Sequence, residues 1–189
     1  TGRAVADVRG RLGFQPWHIV GSHGAEDELD PGGAARQGVA LDPLRELLGA
    51  RGPDLAAAGV WVEDKKQSVA LHYRLSRNRE RALAVIDELL SGPDLSLRRF
   101  AGKMVVNVMA VDAPDKAHAV QALVARCGAS CALFAGDDVN DEPAFIAAPP
   151  NWLTVRIGRD NPASHAKFFL DSPAEMASLL GDMLALLAA

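Results

Sequence analysis

Four carboxylates crowd into Gly136-Asp137-Asp138-Val139-Asn140-Asp141-Glu142, directly after the apolar run Cys131 to Ala135. Acids this close repel one another unless a cation or a basic side chain balances them, and hard magnesium prefers carboxylate oxygens completed by water. If the apolar run is a strand of an open parallel sheet, the loop leaves its carboxyl end, where such sheets bind ligands. The cluster asks for a metal. A solvated loop, with Asp141 or Glu142 helping to cap the helix that Pro143 starts, is the alternative. Asp115-Lys116 opens the helix that precedes this strand, near the same sheet edge. A lysine there can hold a phosphate and offset carboxylates during phosphoryl transfer, which is chiefly positioning and charge stabilisation. By itself it reads equally as a solvated surface residue. Thr1-Gly2-Arg3, just before a helix, can present a hydroxyl and a backbone N–H to a phosphate oxygen.

Hydrophobic periodicity and turn residues supply the elements that must position these groups. The pattern predicts a helix over Ala4–Leu12 and a strand Trp17–Val20 closed by Gly21-Ser22-His23-Gly24, then a Gly-, Pro- and acid-rich connector from Asp27 to Gly38. A helix Asp42–Ala50 and a hairpin follow, the hairpin pairing Val60–Glu63 with Ser68–Arg74 around Asp64-Lys65-Lys66-Gln67. Asn78 caps a helix through Leu90, and Ser96–Phe100 and Met104–Met109 form two more β segments. These make a helix-backed antiparallel sheet. After Asp112 helices and strands alternate: Asp115–Arg126, Cys131–Ala135, a helix from Pro143, Leu153–Ile157 and Ala174–Ala188. Alternation of this kind means a parallel sheet. The expected fold is α/β, with a core from residues 1–26 and 112–189 and an inserted α/β unit over 27–111. Strand alternation puts Glu63 and Lys65 on one face, as a shared ligand surface requires; a surface turn with an inconsequential ion pair is the bland alternative.

Composition narrows the partners. The 189 residues carry a net charge of −4 and no basic stripe interleaved with aromatics, which speaks against nucleic acid. Apolar stretches such as Ala177 to Ala189, interrupted by Asp182, are too short to span a membrane. Two cysteines, Cys127 and Cys131, have neither zinc-ligand spacing nor a disulfide framework, which fits a cytoplasmic location. His118 and His165 lack partner spacing and read as surface residues.

The order of hydroxyl with glycine, lysine at a helix start, then strand and GDDxxD resembles the haloacid dehalogenase superfamily of phosphatases. Within it, Gly21 to Glu26, Val62-Glu63-Asp64-Lys65 with Ser68, His72-Tyr73-Arg74, Gly102 to Val106 and Gly136 to Glu142 look like trehalose-6-phosphate phosphatases. That resemblance implies a Rossmann-like core with a C2B-type α/β cap, and hydrolysis of trehalose 6-phosphate to trehalose and phosphate through an aspartyl-phosphate intermediate with Mg2+. It implies that Thr1 binds the transferring phosphoryl group, Lys116 neutralises it, and Asp137 ligates magnesium, with Asp138 and Asp141 as further ligands or supporting partners. It also implies that Glu63 and Lys65 grip sugar hydroxyls, with Lys103, Asn107, Arg3 and His23 as further substrate-binding residues; His23 alternatively satisfies buried backbone groups beside Gly24. The partners implied are a small-molecule sugar phosphate and a trehalose-6-phosphate synthase in the same pathway.

Three features depart from the family pattern. Its Asp-x-Asp strand, which carries nucleophile and general acid/base, has no counterpart here: Asp7 lies within a predicted helix, and Asp112 and Asp115 flank the lysine. The chain is accordingly expected to be an inactive fragment of a longer enzyme, lacking the first core strand. Asn107 stands where the family usually has a sugar-contacting glutamate, so the charge-assisted bond is lost and the sugar is less defined. Ala117 replaces the usual glycine after the lysine. The alternatives are a related sugar phosphatase, acting for instance on a sucrose or glucosylglycerate phosphate, and a non-catalytic sugar-phosphate-sensing domain.

Overall fold

The computed structural model describes residues 1–92 and 96–188. The chain divides into two compact units, Thr1–Asp115 and Lys116–Ala189.

The first unit runs α1 (Val5–Arg11), β1 (Val20–Gly21), β2 (Glu26–Asp27), α2 (Pro31–Val39), α3 (Asp42–Ala50), α4 (Gly52–Ala57), β3 (Trp61–Asp64), β4 (Val69–His72), α5 (Arg79–Ser91), β5 (Leu97–Gly102) and β6 (Val105–Ala110). Strands β3, β4, β6 and β5 form an antiparallel sheet in that order. Side chains alternate across a strand, so the sheet sorts its residues into two faces. One face, with Val69, Leu71 and Val108, packs against Leu41, Leu44 and Leu48 of the α2–α3 segment, Leu55 of α4, and Ile86 and Leu89 of α5. Leu71, Ile86 and Val108 are fully buried, each worth about 1.5–3 kcal/mol. The other face carries Trp61, Glu63, Ala70, His72, Asn107 and Phe100.

Helix α5 starts where Asn78 predicts, its side chain accepting from Arg81 N at 2.9 Å. Helix α2 occupies much of the stretch read from sequence as a connector. Asp30 caps it, accepting from Gly33 N at 2.9 Å, and Pro31 fits the first turn because its missing N–H would have no helical partner. Those two residues outweigh the glycines. Trp17–Val20, expected as a strand of the parallel sheet, contributes only Val20, which with Gly21 pairs antiparallel with β2. Ile19 is buried, His18 and Val20 are half-buried, and Trp17 is 92% exposed. Residues 1–26 pack within the first unit, where Ala25 joins Met109, Ala110, Ala113 and Phe100.

The second unit runs α6 (Lys116–Cys127), β7 (Leu133–Gly136), α7 (Glu142–Ala147), β8 (Leu153–Ile157), β9 (Phe168–Leu170) and α8 (Pro173–Leu187). Strands β7, β8 and β9 form a parallel sheet in that order. The α/β class with a parallel sheet is therefore the one that forms. Strand β9 was not foreseen, because three residues are too few to show a period. Among the described residues no helix is long and apolar enough to cross a membrane.

Candidate active site

Strand β7 ends at Gly136, and the acidic loop folds back against that end. Asp141 is only 3% exposed and both its oxygens are engaged. Oδ1 accepts from Lys116 Nζ at 2.5 Å, and Oδ2 accepts from the backbone N–H groups of Asp137 and Asp138 at 3.0 and 2.9 Å. Gly136 makes this possible, since a Cβ there would lie 2.2 Å from Asp141 Cγ. Lys116 is the first residue of α6, and helical side chains tilt toward the N-terminus, so its ammonium reaches back to the loop. With one N–H facing Asp141, the ammonium keeps two more donors for an incoming oxyanion.

Two of the remaining acids, Asp138 and Glu142, are also held. Asp138 Oδ1 accepts from Val139 N at 2.7 Å and its Oδ2 from Asn140 Nδ2 at 3.1 Å, capping the short turn that leads into α7. Glu142 pairs with Arg156 at 3.3 Å and accepts from His165 N at 2.9 Å. Burial alone would raise its carboxyl, but hydrogen bonds from Ser164 and His165 and the charge of Arg156 hold it below the usual range. His165, read from sequence as a surface residue without a partner, is thus engaged. Asp141 and Glu142 thus each have a cation within the chain, which relieves part of the repulsion that the sequence assigns to a metal.

Arg156 was not foreseen. It lies on β8 opposite Gly136, is 1% exposed, and also bonds Asp160 at 3.0 Å. A lone arginine in the run Leu153–Ile157 was the available signal, because a charge in a buried strand must have partners.

Asp137 is left exposed at the strand end. Among the described residues no group of three or more His, Cys, Asp or Glu gathers to hold a metal. Magnesium is often bound through one or two carboxylates with waters and substrate phosphate. Asp137 fits one such position, whereas each Asp138 oxygen already accepts one hydrogen bond in its cap.

In the first unit, Glu63, Ala70, Asn107 and Phe100 form one cross-strand row. Glu63 Oε2 lies 2.8 Å from His72 Nε2 and 3.5 Å from Lys65 Nζ, so the three side chains gather on one face. The turn that carries Lys65 is fixed by Arg45, which bonds Asp64 at 2.7 Å and the carbonyls of Gly38 and Lys66 at 2.6 and 2.5 Å. The Arg45 bond chiefly keeps the Asp64 carboxyl below the usual range.

Thr1 O accepts from His23 N at 2.9 Å and Arg3 O from Ser22 N at 2.8 Å. Gly2 lets the His23 ring approach, since a Cβ there would lie 2.5 Å from its Cε1. That ring meets Phe100 edge-on at 5.0 Å, next to Asn107 in the cross-strand row, so Thr1, His23 and Asn107 belong to one neighbourhood. Arg3 turns instead to Asp7 at 2.8 Å on the exposed surface. Lys103 is exposed in the β5–β6 turn, at the opposite end of the strands from the turn bearing Lys65. Asp7, the acid weighed as a substitute nucleophile, is held below the usual range by Arg11 and then Arg3 on an exposed helix face.

Relatives share this sequence over nearly its whole length. Trehalose-phosphate phosphatase of Mycobacterium ulcerans is 31% identical over 195 residues, covering 96% of this chain and 50% of the relative. A probable trehalose-phosphate phosphatase of Sinorhizobium fredii is 35% identical over 175 residues, covering 88% of this chain and 64% of the relative. The chain thus spans about half the length of the Mycobacterium relative. No family model matches. Among solved structures, a trehalose-6-phosphate phosphatase related protein superposes with a TM-score of 0.75 at 22% identity, over 100% of this chain and 81% of that one. The C-terminal domain of Candida albicans trehalose-6-phosphate phosphatase gives 0.73 at 19%, over 95% and 74%. A haloacid dehalogenase-like hydrolase from B. subtilis gives 0.50 at 17%, over 89% and 80%. The chain is a homologue of the trehalose-phosphate phosphatases and has the fold of the haloacid dehalogenase-like hydrolases.

Proposed function

We propose that the full-length protein is a magnesium-dependent phosphatase that hydrolyses trehalose 6-phosphate to trehalose and phosphate. The supporting observation is the Lys116–Asp141 pair at the carboxyl end of β7, 2.5 Å apart with Asp141 buried. A lysine anchored by a carboxylate, itself fixed by two backbone amides, is oriented before any ligand arrives. Such preorganised charge is what stabilises a transferring phosphoryl group.

In this reading Lys116 neutralises the phosphoryl oxygens, Asp141 orients Lys116, and the Thr1 hydroxyl offers a further donor to phosphate. Asp137 supplies a carboxylate to magnesium, which when bound would draw negative charge from the phosphate. Glu63 and Lys65 grip sugar hydroxyls, while Asn107 and His23 bound the same face of the sheet. Residues 1–26 and 112–189 belong to the core of the full-length protein and 27–111 to its cap. The reaction proceeds through an aspartyl-phosphate intermediate, and a synthase making trehalose 6-phosphate is the pathway partner.

The test is phosphate release by full-length protein from trehalose 6-phosphate, sucrose 6-phosphate and glucose 6-phosphate, with and without Mg2+. Preferential, magnesium-dependent turnover of the trehalose ester supports the proposal. Equal rates on all three, or none on any, would overturn it.

A further inference from the structure

We propose that Trp61, braced by His72, is a stacking platform for a pyranose ring of the substrate and thereby a specificity-determining residue. This rests on the sugar-phosphate reading above and extends it to a residue that reading does not use.

Trp61 is 60% exposed on a sheet face where Ala70 and Met109 are 0% exposed, Asn107 is 4% exposed, and Glu63 and His72 are half-buried. A tryptophan carries a large apolar surface, and an indole exposed beside polar groups offers a ligand both a stacking face and hydrogen-bond partners. The ring is also held in position. Trp61 and His72 are cross-strand partners with ring centroids 5.0 Å apart and planes 32° apart. His72 in turn is fixed by its Nε2 bond of 2.8 Å to Glu63, which requires the proton on Nε2.

What surrounds the indole identifies the occupant. A pyranose ring presents C–H groups on its faces and hydroxyls around its rim. The electron-rich face of the indole attracts polarised C–H groups. At the rim, the Glu63 carboxylate accepts from hydroxyls and the Lys65 ammonium donates to them. The other strongly exposed aromatics among the described residues, Trp17 at 92%, Phe14 at 69% and Phe168 at 56%, have no carboxylate–lysine pair described beside them. A sugar whose stacking face carries an axial hydroxyl would be lifted off the indole and rejected.

The experiment uses full-length protein with Trp61→Ala, Trp61→Phe and the control Trp17→Ala. For trehalose 6-phosphate, W61A is expected to raise KM about tenfold with kcat changed less than about twofold, the pattern of lost uniform binding. W61F should retain most of the affinity and W17A should match wild type. KM for acetyl phosphate, which has no sugar, should not move in any variant. An unchanged KM for the sugar ester in W61A, or an equal rise for acetyl phosphate, would overturn the proposal. If wild type does not hydrolyse trehalose 6-phosphate, the phosphatase reading fails separately. The platform is then judged by fluorescence on adding trehalose: a change in wild type that is lost in W61F supports it, and no change in wild type overturns it.

Discussion

Gly136 and Asp141 compete for one space: a single methyl group on Gly136 would fall 2.2 Å from the Asp141 Cγ, inside the carboxylate that holds Lys116. The end of a parallel strand is thus bare so that a buried acid can lie across it and point a lysine outward. Gly136→Ala should displace Asp141, destabilise the protein by about 1–3 kcal/mol, and lower kcat of the full-length protein for the proposed phosphatase reaction. Urea titration alongside kcat measurement checks both.

Arg156 and Glu142 should behave as a coupled pair, because both are shielded and face each other at 3.3 Å. Arg156→Met leaves Glu142 without its main cation and should cost about 3–5 kcal/mol. Adding Glu142→Gln should recover part of that loss. A double-mutant cycle by urea unfolding measures the coupling, and strict additivity would show that the two act independently.

Glu142 also sets an acid limit. Its carboxyl is held below the usual range in the folded chain, so between that depressed value and the ordinary one the unfolded state binds more protons. The resulting stability is fully present above the ordinary glutamate range and is lost as pH falls through the depressed value. Glu142→Gln should flatten the acid limb of a plot of stability against pH while shifting the neutral region downward. Thermal melts across that range provide the measurement.

Asn78→Ala removes the side chain that accepts from Arg81 N at the start of α5. The expected loss is about 1 kcal/mol, seen as a lower urea midpoint with an unchanged slope.

The sequence reveals most clearly those features that local chemistry decides. Helix α3 falls on Asp42–Ala50 and strand β8 on Leu153–Ile157, as their apolar spacing predicts. The hairpin that brings Glu63 near Lys65 follows from alternation around a polar turn, and Lys116 is found beside the acidic loop. What stayed hidden depends on distant partners. Asp141 engages Lys116 and two loop amides, an arrangement that needs Gly136 and cannot be read from a run of acids. Arg156 looks out of place in an apolar strand until Glu142 and Asp160 meet it. Arg45 ties α3 to the hairpin turn across 19 residues of sequence to Asp64, and no local pattern marks such a bond. Conversely, Trp17–Val20 has local strand character, yet only Val20 enters a strand, pairing together with Gly21 against β2.

The most direct measurement is magnesium-supported phosphate release from trehalose 6-phosphate by full-length protein, wild type against Lys116→Ala. The account predicts turnover by wild type and a fall in kcat of about 10²–10³ in the variant, as for loss of a preorganised charge at a transition state. A variant that keeps kcat within a few-fold of wild type would contradict it.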